Sequence, residues 1–195
     1  MARPVEFEKD KVLTKAMEQF WKEGYEASSV QKLLDATDIN RGTLYNSFGD
    51  KDAFFKSCVE KYNELVKADI DATLGNSKLN AAKAIDAYFD TAIISAPNKQ
   101  RVLGCLLVNS VCESINWDKE VQKVLKSALN VIRKSLLART KEMEKSRLLV
   151  RGLKADMAAD ILMNLYSGLR VGARNGKGPR QLADLAGFTI GSIKK

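Results

Sequence analysis

Within Asn40–Ser47 the side chains of Arg41, Thr43, Tyr45 and Asn46 form a hydrogen-bonding set that contains no acid. Arg is a fixed cation whose forked donors match a guanine edge, Thr meets a thymine methyl, and Tyr and Asn bond phosphate oxygens. Leu44 and Phe48, four apart, fall on the opposite face of the same helix. Asn40 stands where a cap is needed, because its side-chain oxygen accepts from the free N–H groups of the following turn. The chemistry on offer is recognition of the edge of a DNA duplex.

The residues before this helix must position it. Val30, Leu33 and Leu34 are spaced for one buried face of a short helix, and Thr37-Asp38-Ile39 breaks it. Two short helices joined by a tight turn are a helix-turn-helix, with Asn40–Ser47 as the reading helix. Upstream, Val5–Glu23 carries a helical stripe of Val12, Leu13, Ala16, Met17, Phe20 and Trp21, and Gly24 stops it. Tyr25 is expected to pack onto the three-helix core. Ser28 or Ser29 caps the second helix. Asp50 caps a long fourth helix, about Lys51–Leu74, with an apolar face from Phe54 to Val66. Met1–Pro4 reads as a tail, with Arg3 in it.

The stretch from F-W-K-E-G-Y through S-S-V-Q-K-L-L-D-A-T-D-I-N-R-G-T-L-Y-N-S-F to G-D-K-D-A-F-F resembles the TetR family of transcriptional repressors. The resemblance covers about the first quarter of the chain. One departure is Asp38, where the family usually has Gly; Asp tolerates the left-handed conformation better than most residues. In that family's fold the N-terminus of the second helix abuts DNA, where a serine such as Ser29 caps the helix, meets a phosphate, or does both. The resemblance also places Lys51 beside the DNA backbone. Arg41 and Thr43 are then expected at base edges, with Ser29, Asn40, Tyr45, Asn46 and Lys51 holding phosphates.

Composition limits the alternatives. The 195 residues contain no histidine, which removes His-based triads, His general bases and His metal ligands. Cys58, Cys105 and Cys112 are an odd set without a C-x-x-C pair, so neither a structural metal site nor a disulfide framework is expected. No cofactor is implied. No apolar run approaches a membrane span or a signal-peptide core, and the chain is expected to be cytoplasmic. The net charge is +8, yet residues 1–50 hold seven Lys/Arg against nine Asp/Glu, and residues 100–195 hold eighteen against eight. The positive excess is therefore not in the DNA-reading part, and the exposed pattern of the reading helix is the better evidence.

The rest of the chain reads as helix throughout, giving an all-α protein of about nine helices. After Gly75-Asn76-Ser77 come helices at about Leu79–Ser95, Val102–Ile115, Lys119–Lys145, Ala155–Asn175 and Pro179–Ile193. The expected division is a helix-turn-helix domain over 1–50 and an effector-binding and dimerisation domain over 51–195. Helix Ala155–Asn175 is apolar on more of its circumference than one core uses, and Pro179–Ile193 is short, terminal and also apolar. Pairing these two with their symmetry mates in a homodimer covers both. The family does the same with its last two helices.

Candidate lining residues for a small-molecule effector are Tyr88, Phe89, Cys105, Asn109, Cys112, Trp117 and Tyr166. Asn109 stands out because a polar amide in an apolar helix needs a partner. Cys105 and Cys112, seven apart, are expected on one helix face and too far apart to pair. Arg101, four before Cys105, is a candidate for lowering its pKa, which makes a redox effector an alternative trigger. A helical small-molecule-binding or enzymatic protein without DNA binding is the competing reading, and no catalytic constellation speaks for it.

Overall fold

The computed structural model describes residues 5–195; the tail with Arg3 lies outside the described residues. Ten α-helices follow in order: α1 (Val5–Glu23), α2 (Val30–Thr37), α3 (Arg41–Phe48), α4 (Lys51–Ala72), α5 (Ala81–Phe89), α6 (Asn98–Arg101), α7 (Leu106–Glu113), α8 (Lys119–Lys145), α9 (Ala155–Arg174) and α10 (Pro179–Ser192). Nine have eight residues or more, and α6 is a single turn. The all-α expectation holds. Among the described residues no helix is long and apolar enough to cross a membrane.

Local signals start these helices. Asp50 accepts from Ala53 N at 2.8 Å, Asn80 from Lys83 N at 2.9 Å, and Asp118 from Glu120 N at 2.9 Å. Each satisfies an N–H that the first turn leaves free. Pro179 opens α10, where its missing donor costs nothing.

One apolar core runs through the molecule. Phe20, Leu33, Leu44, Phe54 and Phe55 fill its N-terminal end, and Leu107, Leu125, Ile132, Leu162 and Tyr166 the other. Helix α4 packs against both α1 and α8, so the two ends share it as a strut. Thr140 near the end of α8 donates to Ala155 O at the start of α9, and Arg133 bonds Asp160 at 2.7 Å. The two helices thus run antiparallel. Buried Arg139 donates to Leu74 O at 2.6 Å and Asn76 O at 2.8 Å, closing the loop after α4. The chain end is tied back by Lys195 N to Leu148 O at 2.9 Å.

Two helical expectations need correction. The helix over 79–95 is α5 followed by a π-turn, Asp90–Ile94, closed by Ser95 N to Asp90 O at 2.8 Å. The helix over 102–115 is broken. Gly104 has φ +74°, and a side chain there would stand 3.1 Å from Arg170 O. Only glycine allows that turn and that approach of α9. Cys105 is then extended, and α7 starts at Leu106. As a result Cys105 and Cys112 do not share a helix face: the first is buried and the second exposed.

Candidate nucleic-acid interface

The turn before the reading helix is held by its own residues. Ser29 caps α2 by accepting from Lys32 N at 3.3 Å, while Ser28 is buried and donates to Gly24 O at 2.6 Å. Thr37 donates to Leu33 O at 2.6 Å. Asp38 takes the left-handed conformation, φ 61° and ψ 39°, and its N–H closes on Leu34 O at 2.8 Å. The departure from glycine is therefore accommodated in the geometry the turn requires. Asn40 then caps α3, accepting from Thr43 N at 2.8 Å.

Leu44 alone of α3 is fully buried. Phe48 is half-buried against the Phe54 ring, 4.6 Å away. The remaining side chains of α3 from Arg41 to Ser47 are exposed, including Tyr45 at 47 %. Arg41, Thr43, Tyr45 and Asn46 therefore face solvent together, with Ser29 and Asn40 also exposed. No acid interrupts the α3 surface. The arrangement offers one guanidinium, three hydroxyls and two amides to a polyanion, on a helix short enough to enter a major groove.

Lys51 differs from a free surface lysine. Its ammonium lies 4.2 Å from the centre of the Tyr25 ring, a cation–π contact. Burial lowers its pKa, and the carboxylates of Glu26, Asp52 and Glu113 oppose that shift. Tyr25 in turn donates to Asp52, and burial followed by that bond raises its phenol pKa, so it stays neutral. Trp117 packs against Tyr25 with the rings tilted, 4.3 Å between ring centres, and meets Phe55 edge-on. Gly24, with φ +88°, leaves just enough room for the Glu113 carboxylate beside it. The end of α7 and the turn after it thus lean on the α1–α2 corner, whose Tyr25 ring is also met by Lys51 at the start of α4.

The seven effector candidates do not form one group. Tyr88 and Tyr166 stack at 6.1 Å, and Tyr166 donates to Cys105 Sγ at 3.4 Å, all within the core. Phe89 is buried at 5.9 Å from Tyr88. Asn109 finds a protein partner, donating to Leu103 O at 2.9 Å, which fixes the turn before Cys105. Cys112 faces solvent, and Trp117 belongs to the Tyr25 contact. Arg101 is not the neighbour of Cys105: its guanidinium donates to Ala96 O at 2.9 Å and Asn98 at 2.8 Å. Arg170, absent from the sequence candidates, lies over the Tyr166 ring at 5.2 Å. Its signal was available, as a cation between Leu169 and Val171 on an apolar helix.

Comparison with known proteins supports the same reading. Residues 12–58 match the model for bacterial regulatory proteins of the tetR family. The HTH-type transcriptional repressor ComR of Escherichia coli is 28 % identical over 194 residues, covering 96 % of this chain and 90 % of that protein. The HTH-type transcriptional repressor DhaR of a Mycobacterium species is 25 % identical over 161 residues, 80 % and 77 % of the two chains. Among solved structures, a cysteine mutant of the regulator CifR complexed with 26-base-pair operator DNA superposes with a TM-score of 0.84. That match spans 98 % of this chain and 100 % of that one, at 20 % identity.

Proposed function

Because the chain belongs to the TetR family of transcriptional regulators, we propose that it represses transcription as a homodimer. Two copies of α3 grip a palindromic operator, and a small molecule bound in the C-terminal helices releases it. One observation carries this reading: Arg41, Thr43, Tyr45 and Asn46 are all exposed above a single buried anchor, Leu44. That pattern has no use in a core and matches a groove edge. ComR and DhaR are repressors by name, and CifR holds operator DNA, which fits the same role.

We place base reading at Arg41 and Thr43, and phosphate contact at Ser29, Asn40, Tyr45, Asn46 and Lys51. The DNA-binding domain spans 1–50 and the effector and dimerisation domain 51–195, with α4 as the strut between them. The dimer forms through α9 and α10, the helices expected over Ala155–Asn175 and Pro179–Ile193. Met157, Val171, Leu185 and Phe188 are exposed there, the last at 82 %. Two reading helices about 34–36 Å apart then meet successive major grooves. An effector that favours another spacing releases DNA by differential affinity, with a coupling of about 1–3 kcal/mol. The site of action is the cytoplasm, where the genome lies.

The test is selection from a random duplex library followed by gel shifts. An inverted repeat should be enriched. Tyr45→Ala should weaken binding on all sequences, whereas Arg41→Ala should also relax base preference. Equal wild-type affinity for the enriched and a scrambled duplex at moderate salt would exclude specific recognition.

A further inference from the structure

Between α1, α4, the π-turn and α9 lies a cavity of about 310 Å³, bordered by Trp21, Tyr62, Leu65, Asp69, Ser95 and Arg170. Two donors on its border lack partners. Arg170 is 6 % exposed; it donates to Gly104 O at 3.3 Å, but its Nε has no acceptor. Trp21, 5 % exposed, has an indole N–H that is likewise unsatisfied. Among the described residues Arg170 takes part in no ion pair. Buried cations are normally paired, because leaving water costs more than carbonyls and an aromatic face return.

Among the described residues, none of the surrounding groups forms an ion pair with Arg170. Tyr62, Tyr88 and Tyr166 have pKa values raised by burial and stay neutral. Asp69 borders the same cavity but makes no ion pair with Arg170, and burial raises its pKa against the pull of Arg170. A ligand anion completes the arrangement. Asp69 also limits its charge, since a dianion sets a second negative charge against that carboxylate.

We propose that this cavity is the effector site and that it takes a small, singly charged carboxylate. The carboxylate pairs with Arg170, and its apolar body lies on Trp21, Tyr62 and Leu65. The proposal rests on the regulator reading and gives its effector a chemical class. It also places that effector where α9 holds α1. Arg174, one turn after Arg170, donates to Trp21 O at 3.2 Å, Lys22 O at 3.3 Å and Leu103 O at 3.2 Å. A ligand that draws Arg170 toward the cavity acts on the helix that clamps α1, and α1 packs on α2.

The test is calorimetry on the full-length protein with sodium benzoate, neutral benzamide and inorganic phosphate at fixed ionic strength. Benzoate should bind at least about tenfold more tightly than either of the others. Arg170→Met should erase that preference while the unliganded variant melts no lower than wild type, because it removes an unpaired buried cation. Asp69→Asn should tighten benzoate binding at neutral pH. Equal binding of benzoate and benzamide, or no benzoate binding up to about 10 mM, overturns the proposal. If Arg170→Met does not fold, the wild-type ligand comparison and Asp69→Asn decide. Duplex selection on the same preparation is scored separately. Selection that succeeds without benzoate binding sinks this proposal alone; benzoate binding without any selected duplex sinks the regulator reading.

Discussion

Phe188 is 82 % exposed on α10, and Leu185 is 47 % exposed one turn away. On α9, Met157 and Val171 are 59 % and 50 % exposed. Beside them Gly168, Gly187 and Gly191 have open space where a side chain would stand, so a second backbone can approach closely. If this face pairs with its own copy, each Phe188 is removed from water on association. Burying such a side chain contributes about 1.5–3 kcal/mol. Two-fold symmetry counts it twice, so Phe188→Ala should cost the dimer roughly 3–6 kcal/mol, about 10²- to 10⁴-fold in dissociation constant. Sedimentation equilibrium over a concentration series measures this directly. The isolated protomer has little to lose at an exposed ring, so its circular dichroism should not change. Operator affinity should fall at low protein concentration and recover at high concentration. A dimer constant within about threefold of wild type would refute α9 and α10 as the interface.

Leu44→Ala should lower stability by about 2–5 kcal/mol and abolish operator binding, because Leu44 is the fully buried anchor of α3; chemical denaturation and gel shift check both. Asn40→Ala, which loses the cap on Thr43 N, should cost about 1 kcal/mol in the same assay. Asp69 has a folded pKa raised by burial, so its ionisation works against the fold, and stability is lost as pH rises through that raised value. Asp69→Asn should therefore melt higher than wild type at neutral pH, with the gap closing in acid where both are uncharged. A thiol titration with a bulky disulfide reagent should find Cys112 accessible in the native protein, with Cys58 and Cys105 reacting only in denaturant. Fast reaction of all three would contradict the burial of Cys105 under Tyr166.

The helix-turn-helix was legible because its determinants are local. Caps at Ser29 and Asn40, a turn residue at Asp38, and apolar spacing around Leu33, Leu34 and Leu44 all act within a few residues of one another. The break before α7 was not, because Gly104 reads as an ordinary glycine until α9 is seen pressing Arg170 O against it. Trp117 looked like a pocket aromatic, since nothing nearby in sequence shows that Tyr25, at the α1–α2 corner, packs against its ring. Arg170 and Asp69 were missed for a related reason. Each is one of several charges on its helix, and only tertiary packing brings them to the same cavity.

Hydroxyl-radical footprinting of the protein on its selected duplex measures the two reading helices at once. Two equal protected patches, related by a two-fold axis and centred about one helical turn apart, are expected. Both should vanish together in Leu44→Ala. A single patch, or two patches with no fixed separation, would contradict a dimer that presents α3 to successive grooves.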